Sequence, residues 1–205
     1  MPGRVVSLVP LYAHAHAEAL YEGSCGTARE HLWAYLFDGP FPDRAVFTAS
    51  LKAKADSEDQ IFYSILDNQT GKALGHASYL RIEPAHRVIE VGSILYTPAL
   101  QRTVGATEAM YLMARYIFDD FGYRRYEWKC NSLNAPSRRA ALRLGFTFEG
   151  IFRQHMIIKD RNRDTAWFSM LDSEWPARKA AFERWLDPGN FDSHGKQKRS
   201  LSELA

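Results

Sequence analysis

Short apolar runs and longer amphipathic stretches alternate along the first part of the chain. The stretch RVVSLVP, residues 4–10, is rich in β-branched residues and predicts a strand that ends at its proline. Two amphipathic stretches follow, AHAHAEALYEG (13–23) and TAREHLWAYLF (27–37), and predict two helices separated by a break of glycine and serine. After the turn-rich DGPFPD, residues 38–43, the stretch AVFTASLKAKAD predicts a third helix.

The rest of the chain is dominated by apolar runs that are typical of strands. IFYSIL and KALGHASYL flank the turn residues 67–71 and predict a hairpin. VIEVGSILY, residues 88–96, predicts a third strand, which leads into an amphipathic helix within LQRTVGATEAMYLMARYIF, residues 100–118. YRRYEWKC then predicts a strand, and SRRAALRLGF a short helix that stops at Gly145, because glycine readily takes the left-handed C-terminal cap. FRQHMIIK and DTAWFSML predict a last hairpin, which turns between Asp160 and Asp164.

These elements predict a single α/β domain in which helices pack on a mixed, mostly antiparallel sheet. The length of 205 residues is enough for one domain with a substantial core and is short for two. We expect the domain to span residues 1–186 and a polar, poorly ordered tail to occupy residues 187–205.

Composition and charge narrow the class of protein. Hydrophobic residues make up 46% of the chain and charged residues 24%, as in ordinary globular domains, and the formal net charge is only +2. A nearly balanced charge argues against binding nucleic acid through bulk electrostatics. No apolar run approaches the roughly 20 residues that span a bilayer, and the N-terminus lacks the layout of a signal peptide. Two distant cysteines, Cys25 and Cys130, favour reduced thiols and a cytoplasmic location, and the sequence leaves a homodimer open.

The strand-to-helix turn at residues 101–107 is a candidate anion site. The first turn of a helix carries amide groups without intrahelical partners and a partial positive charge, and small residues there let a phosphate approach the backbone. Gly105 and Ala106 are small, Thr107 adds a hydroxyl and Arg102 a cation. The alternative is a plain connection with a tolerated glycine. Neither G-x-x-x-x-G-K-[ST] nor a G-x-G-x-x-G after a strand occurs, which argues against an ATP-hydrolysing or dinucleotide-binding fold.

A second segment gives this turn a context. NAPSRRAALRLGFTFEGIFR, residues 134–153, taken with LQRTVGATEA and VIEVGSILY, resembles the GNAT superfamily of acyl-coenzyme A N-acetyltransferases. The resemblance runs from about Val5 to about Trp175 and is nearest to the branch that acetylates the N-termini of ribosomal proteins. It implies acetyl-CoA as the co-substrate and no metal. It also implies a pyrophosphate-binding pattern that reads here as Gln101, Arg102, Thr103, Val104, Gly105 and Ala106, with Val104 where the family usually has its first glycine.

The resemblance also implies where the rest of the cofactor lies. The strand before the turn would diverge from the next one, and pantetheine would lie along Ile94, Leu95 and Tyr96. Asn134 matches an asparagine that hydrogen-bonds the cofactor, and Ser137 a serine near the thioester sulfur. Among Arg138, Arg139 and Arg143, cations for the 3′-phosphate are expected, although a solvated helix face explains at least two of them.

The implied chemistry is direct attack of an amine on the thioester. Glu90 stands where many family members carry a glutamate general base, and a carboxylate can take the proton of the attacking amine. The alternative role is an ion pair with an arginine such as Arg87. The position of the usual tyrosine acid is Ala141, so the acid would be Ser137 or water, while Ser137 is equally well explained as a helix cap. A main-chain N–H near Leu95 would hold the developing oxyanion.

Aromatic residues suggest the acceptor site. Trp33, Tyr35, Phe37 and Phe41 cluster where the resemblance implies a lid, although such residues also form cores, and Trp128 is a further candidate. Lys129 would be a poor neighbour for a cationic amine, which favours an acceptor that also carries a carboxylate. The expected function is transfer of an acetyl group from acetyl-CoA to a primary amine of a small molecule, an amino acid or a protein N-terminus. The alternative is a non-catalytic acyl-CoA-binding or sensing module on the same fold.

Overall fold

A computed structural model describes residues 1–204, and these residues build one seven-stranded sheet with helices on both faces. The strands are β1 (Val6–Pro10), β2 (Gln60–Asp67), β3 (Ala73–Glu83), β4 (Val88–Tyr96), β5 (Arg125–Asn131), β6 (Thr147–Ile158) and β7 (Arg161–Leu171). The α-helices are α1 (Ala13–Ser24), α2 (Arg44–Ala55), α3 (Val104–Arg115), α4 (Ala135–Arg143), α5 (Trp175–Leu186) and α6 (Leu201–Leu204). Short 3-10 segments span Thr27–Trp33 and Pro188–Asn190, and a π-helical turn, Tyr116–Asp120, extends α3.

The strand order is β1-β2-β3-β4-β5-β7-β6, and each neighbouring pair is antiparallel except β4 with β5. The expectation of one α/β domain with a mixed, mostly antiparallel sheet is therefore confirmed. The parallel pair arises because α3 forms the crossover between β4 and β5, as parallel neighbours require.

Side chains alternate between the two faces of the sheet, and each face has its own core. On β2, Phe62 belongs to the cluster that packs against α1 and α2, whereas Ile65 belongs to the larger cluster with α3 and α5. Within residues 1–204 no helix is both long enough and apolar enough to cross a bilayer. Both cysteines are free and buried.

The parallel strands diverge part of the way along their length. Register pairs of β4 with β5 run from Val88–Arg125 to Val91–Trp128, and the strands have no further pair within residues 1–204, although β4 continues to Tyr96. Opposite β3, β4 also shifts its register, and Ser93 there takes a left-handed backbone with φ of 49°. Such a bulge bends a strand, and a non-glycine residue at positive φ is held only where its surroundings enforce it. The resemblance implied this divergence, which leaves one edge of β4 open.

Three predicted elements differ from the structure. The second predicted helix, residues 27–37, contains only the 3-10 segment Thr27–Trp33. The last hairpin turns at Lys159 and Asp160, both at positive φ, as a tight two-residue turn needs. Residues 187–204, expected to be a poorly ordered tail, have a defined fold in which Leu201 and Leu204 join the larger core.

Candidate functional site

A cleft of about 1140 Å³ opens where β4 and β5 diverge. Its walls come from β4, the turn before α3, β5 and α4. It is also lined by His31, Tyr35 and Phe37 from the chain after α1 and by Trp185, Phe191 and Gln197 from the C-terminal region.

The open edge of β4 forms one wall of this cleft. Ile94, Leu95 and Tyr96, the residues expected along pantetheine, all line it. The hydroxyl of Tyr96 donates to the carbonyl of Ala106 at 3.1 Å, which fixes the strand against the first turn of α3. Main-chain groups on an unpaired strand edge can bind an extended ligand that carries amides.

The turn before α3 brings most of the expected phosphate site to the cleft. Gln101, Arg102, Thr103, Val104, Ala106 and Thr107 line the cleft. Thr103 is the N-cap, and its Oγ1 accepts from the amide of Ala106 at 3.2 Å. The amides of Val104 and Gly105 take no part in this cap and lie in the first turn, where helices have unpaired donors.

Gly105 itself does not line the cleft, and the reason for glycine there is different from the expected one. A Cβ at this position would lie 2.7 Å from Val6 Cγ1 of β1. Glycine is therefore required because α3 packs closely against the sheet. Its missing side chain faces Val6 and does not make room for a phosphate in the cleft.

Of the three arginines of α4, one faces the cleft. Arg143 donates from Nη1 to Thr107 Oγ1 at 3.0 Å, and its guanidinium lies 4.9 Å from the ring centre of Trp185. It has no carboxylate within 4 Å among residues 1–204, and burial lowers its pKa. Arg138, which was expected to bind the cofactor, instead donates to the carbonyl of Ser132 and lies over Phe148 outside the cleft wall, while Arg139 is exposed.

Asn134 and Ser137 both line the cleft, and the helix-capping role considered for Ser137 belongs to Asn134. Asn134 is the N-cap of α4, because its Oδ1 accepts from the amide of Ser137 at 3.1 Å. The capping alternative for Ser137 is therefore wrong. Ser137 Oγ accepts instead from Trp128 Nε1 at 3.0 Å, and Trp128 also lines the cleft.

Glu90 lies on β4 in the same cleft and is 3% exposed. Its Oε2 contacts Arg81 Nη1 at 2.8 Å and Lys129 Nζ at 2.9 Å. Among residues 1–204 no ion pair or hydrogen bond engages Oε1, which lies near Gly92. The ion pair that was the alternative role therefore exists, but with Arg81 rather than Arg87, and it occupies one of the two oxygens.

A chain of ion pairs extends from Glu90 across the sheet. Lys129 Nζ also contacts Glu127 at 2.6 Å, Glu127 contacts Arg125 at 2.6 Å, and Arg125 contacts Glu149 at 2.5 Å. Hydrogen bonding from Arg125 lowers the pKa of Glu149 to about 2. Lys129 Nζ further lies 3.8 Å from the ring centre of Trp167. Lys129 is thus fully engaged by protein groups.

The aromatic residues expected to bind the acceptor divide into two groups. Tyr35 lines the cleft, and so does its neighbour Phe37. Trp33 and Phe41 do not line it, because their rings pack edge to face, 5.0 Å apart, in the core beneath α2. The carbonyl of Trp33 accepts from Lys159 at the tip of the β6–β7 hairpin, which holds this segment over the cleft.

Two arginines that line the cleft were not among the candidates from the sequence, Arg81 on β3 and Arg163 on β7. Arg163 is 7% exposed, donates from Nε to Thr165 Oγ1 at 3.2 Å, and lies 5.1 Å from the ring centre of Phe37. Strand alternation places Arg163 on the same face as Thr165 and Trp167, which was the available signal. Within residues 1–204, no group of three His, Cys, Asp or Glu side chains is arranged to hold a metal ion.

Comparisons with known proteins agree with this geometry. The family model for the acetyltransferase (GNAT) domain matches residues 6–147. A GCN5-related N-acetyltransferase from Brucella melitensis is 51% identical, with a TM-score of 0.97 over 99% of this chain and 92% of that one. A probable GNAT-family acetyltransferase from Chromobacterium violaceum is 43% identical, with a TM-score of 0.78 over 86% of this chain and 87% of that one. Among curated proteins none matches this chain.

A more distant structure bears on the expected branch. A Vibrio cholerae protein that carries the name of a ribosomal-protein-serine acetyltransferase is 19% identical, with a TM-score of 0.67 over 83% of this chain and 95% of that one. At this level of identity the likeness shows the fold alone.

Proposed function

This chain belongs to the GNAT family of acetyltransferases, and we propose that it transfers the acetyl group of acetyl-CoA to a primary amine. The acceptor is a small molecule, an amino acid or a protein N-terminus. The observation that carries the proposal is the position of Glu90, buried on β4 in the same cleft as the open strand edge that leads to the first turn of α3.

The residues of the cleft suit coenzyme A. The edge of β4 at Ile94–Tyr96 offers main-chain groups to the amides of pantetheine. The amides of Val104 and Gly105 and the positive end of α3 suit a diphosphate. Arg102 and Arg143 line the cleft beside the first turn of α3 and supply cations there. The bound cofactor supplies the activated thioester.

The residues around Glu90 suit the proton transfer that the reaction needs. Oε2 is anchored by Arg81 and Lys129, so Oε1 is free to accept the proton of the incoming ammonium, directly or through a water. The neutral amine then attacks the thioester carbon, a C–N bond forms and the C–S bond breaks. A main-chain N–H near Leu95 holds the carbonyl oxygen, and the second proton lost by the attacking nitrogen passes to the leaving thiolate through the hydroxyl of Ser137 or through water.

Two further assignments belong to this proposal. The ribosomal-protein branch remains a proposal for the acceptor. A cytoplasmic location is proposed because two free, buried cysteines suit a reducing compartment.

The test is thiol release from acetyl-CoA with a panel of primary amines, compared between the wild type and Glu90→Gln. We expect Glu90→Gln to lower kcat by about 10²-fold or more, with the KM for acetyl-CoA unchanged, since general bases contribute about 10²- to 10⁴-fold. Glu127→Gln is the matched control, because Glu127 touches the same lysine but does not line the cleft.

Each outcome decides between functions. If Glu90→Gln keeps its kcat within threefold of the wild type, the base role is rejected. Tight binding of acetyl-CoA without turnover across a broad panel indicates the alternative, a non-catalytic acyl-CoA-binding module. Failure to bind acetyl-CoA rejects both.

A further inference from the structure

Arg163 is a buried cation that faces the acceptor end of the cleft without a carboxylate partner. It lines the same cleft as Glu90 and Phe37, and its side chain is held in place by Thr165 Oγ1 and by the ring of Phe37. Among residues 1–204, no carboxylate oxygen lies within 4 Å of its nitrogens, and its two terminal nitrogens donate no hydrogen bond. Solvent reaches those two nitrogens, so they open to the cleft.

The neighbouring charges do not account for Arg163. The chain of ion pairs beside it holds three cations, Arg81, Lys129 and Arg125, and three carboxylates, Glu90, Glu127 and Glu149. This chain is therefore electrically balanced, and Arg163 is left with one uncompensated positive charge. Burial has the largest effect on the pKa of Arg163 and lowers it, and the opposing effect of the nearby Glu90 charge does not offset that burial.

We propose that Arg163 binds a carboxylate of the acceptor, so that the acceptor is an amine that also carries a carboxylate, such as an amino acid or a short peptide. This assignment rests on the proposed acetyltransferase function. A guanidinium presents two parallel N–H groups that match the two oxygens of a carboxylate. One uncompensated charge matches a monoanion, whereas a phosphate monoester would bring close to two negative charges.

The arrangement suits a molecule that carries both an ammonium and a carboxylate. Glu90 Oε1 meets the ammonium end, and the terminal nitrogens of Arg163 meet the carboxylate end. Lys129, the lysine that first pointed to an acidic acceptor, cannot play this part because Glu90 and Glu127 already neutralise it. A polyamine would place a second cation near Arg163 without a partner.

The experiment compares acceptors in pairs. Amino acids and dipeptides are each offered as the free acid and as the carboxamide, with acetyl-CoA saturating, at a pH below the amine pKa of both members of a pair, so that both are offered as the ammonium that Glu90 is proposed to deprotonate. We expect the wild type to favour the acid at least tenfold in kcat/KM. Arg163→Gln is expected to abolish this preference mainly by raising the KM for the acid, with the KM for acetyl-CoA unchanged. Arg161→Gln, an exposed arginine two residues away on the same strand, is the matched control and keeps the preference.

The outcomes separate this assignment from the proposed function. Equal use of acids and carboxamides by the wild type overturns it, as does a preference that survives in Arg163→Gln or a stronger use of phosphoethanolamine than of any carboxylate. If Arg163→Gln does not fold, Arg163→Lys, which keeps the charge but not the paired N–H groups, is expected to retain only part of the preference. If acetyl-CoA binds but no amine is acetylated, the proposed function fails on its own. Equilibrium binding of the same pairs to the coenzyme A complex then decides the role of Arg163, and equal affinities overturn it.

Discussion

Glu90 and Glu127 are paired across the parallel strands β4 and β5, and the ammonium group of Lys129 contacts both carboxylates. Both glutamates are buried, and so is the lysine, whose side chain is 4% exposed. Two carboxylates in adjacent positions repel each other at short range when little water screens them. The lysine therefore holds together the part of the sheet on which the proposed base stands.

Lys129→Met removes this shared cation, and we expect it to lower the free energy of unfolding by about 3–5 kcal/mol, because it leaves buried charges without a partner. The measurement is urea unfolding at neutral pH. In Lys129→Met/Glu127→Gln, Glu90 still pairs with Arg81, and Arg125 still pairs with Glu149. This double variant should recover part of the loss, and a loss that is purely additive would contradict the electrostatic explanation.

Gly105→Ala places a Cβ 2.7 Å from Val6 Cγ1, and we expect it to lower the free energy of unfolding by about 1–3 kcal/mol. Alanine otherwise favours a helix over glycine, so propensity alone predicts the opposite sign. Val6→Ala removes both valine methyl groups, including the Cγ1 that causes the clash. Unfolding of both single variants and the double variant should show that Gly105→Ala costs much less in the Val6→Ala background. Equal costs in both backgrounds would show that the close contact does not explain the glycine.

Ser137→Ala leaves the buried indole N–H of Trp128 without its acceptor, and we expect a loss of about 1–3 kcal/mol in stability. Trp128→Phe removes the donor, so Ser137→Ala should cost little further stability in that background. Thiol release separates structure from chemistry. If Ser137 acts on the leaving sulfur, its replacement lowers kcat in both backgrounds, whereas a loss of kcat seen only with Trp128 present indicates a purely structural role.

Where local pattern determines the backbone, the sequence predicts this fold well. The run VIEVGSILY coincides with β4, Val88–Tyr96, because a short run dominated by β-branched and other apolar residues favours a strand. Gly145 follows the end of α4 at φ of 93°, as a left-handed cap requires. The strand and helix patterns above do not include α5, although Pro176 in its first turn is a start signal for a helix.

The candidate site was less predictable because it depends on contacts between distant segments. Trp33 and Phe41 have the same aromatic character as Tyr35 and Phe37, and only packing against α2 places the first two in the core. In the sequence, Gly105 fits either a phosphate site or a plain strand-to-helix connection. Only the position of Val6 in the fold shows why glycine is needed there. Arg163 could not be distinguished from the exposed Arg161 until the partners of every neighbouring charge were known.

The burial of His76 on β3 leads to a prediction about how stability depends on pH. It is 1% exposed, neither ring nitrogen has a hydrogen-bond partner among residues 1–204, and the ring packs against Phe62. Burial, and after it the charge of Lys54, lowers its pKa from 6.5 to about 4, with Asp38 opposing the change. The folded protein thus keeps this histidine neutral at a pH where the unfolded chain takes up a proton.

Because of His76, the free energy of unfolding should fall as the pH is lowered from about 6.5 to about 4. Above and below that range the contribution of His76 should stay constant. At about 1.4 kcal/mol per pKa unit, the loss is on the order of 3 kcal/mol. His76→Leu removes both unpartnered nitrogens, so we expect its stability at pH 7 to equal or exceed that of the wild type, and its stability to change less between pH 6.5 and pH 4. The measurement is urea unfolding at several pH values, with His86→Gln, in the exposed β3–β4 turn, as the control for losing a histidine. Parallel pH profiles for His76→Leu and the wild type would mean that the ring is already solvated or hydrogen-bonded in the folded protein, contrary to its burial here.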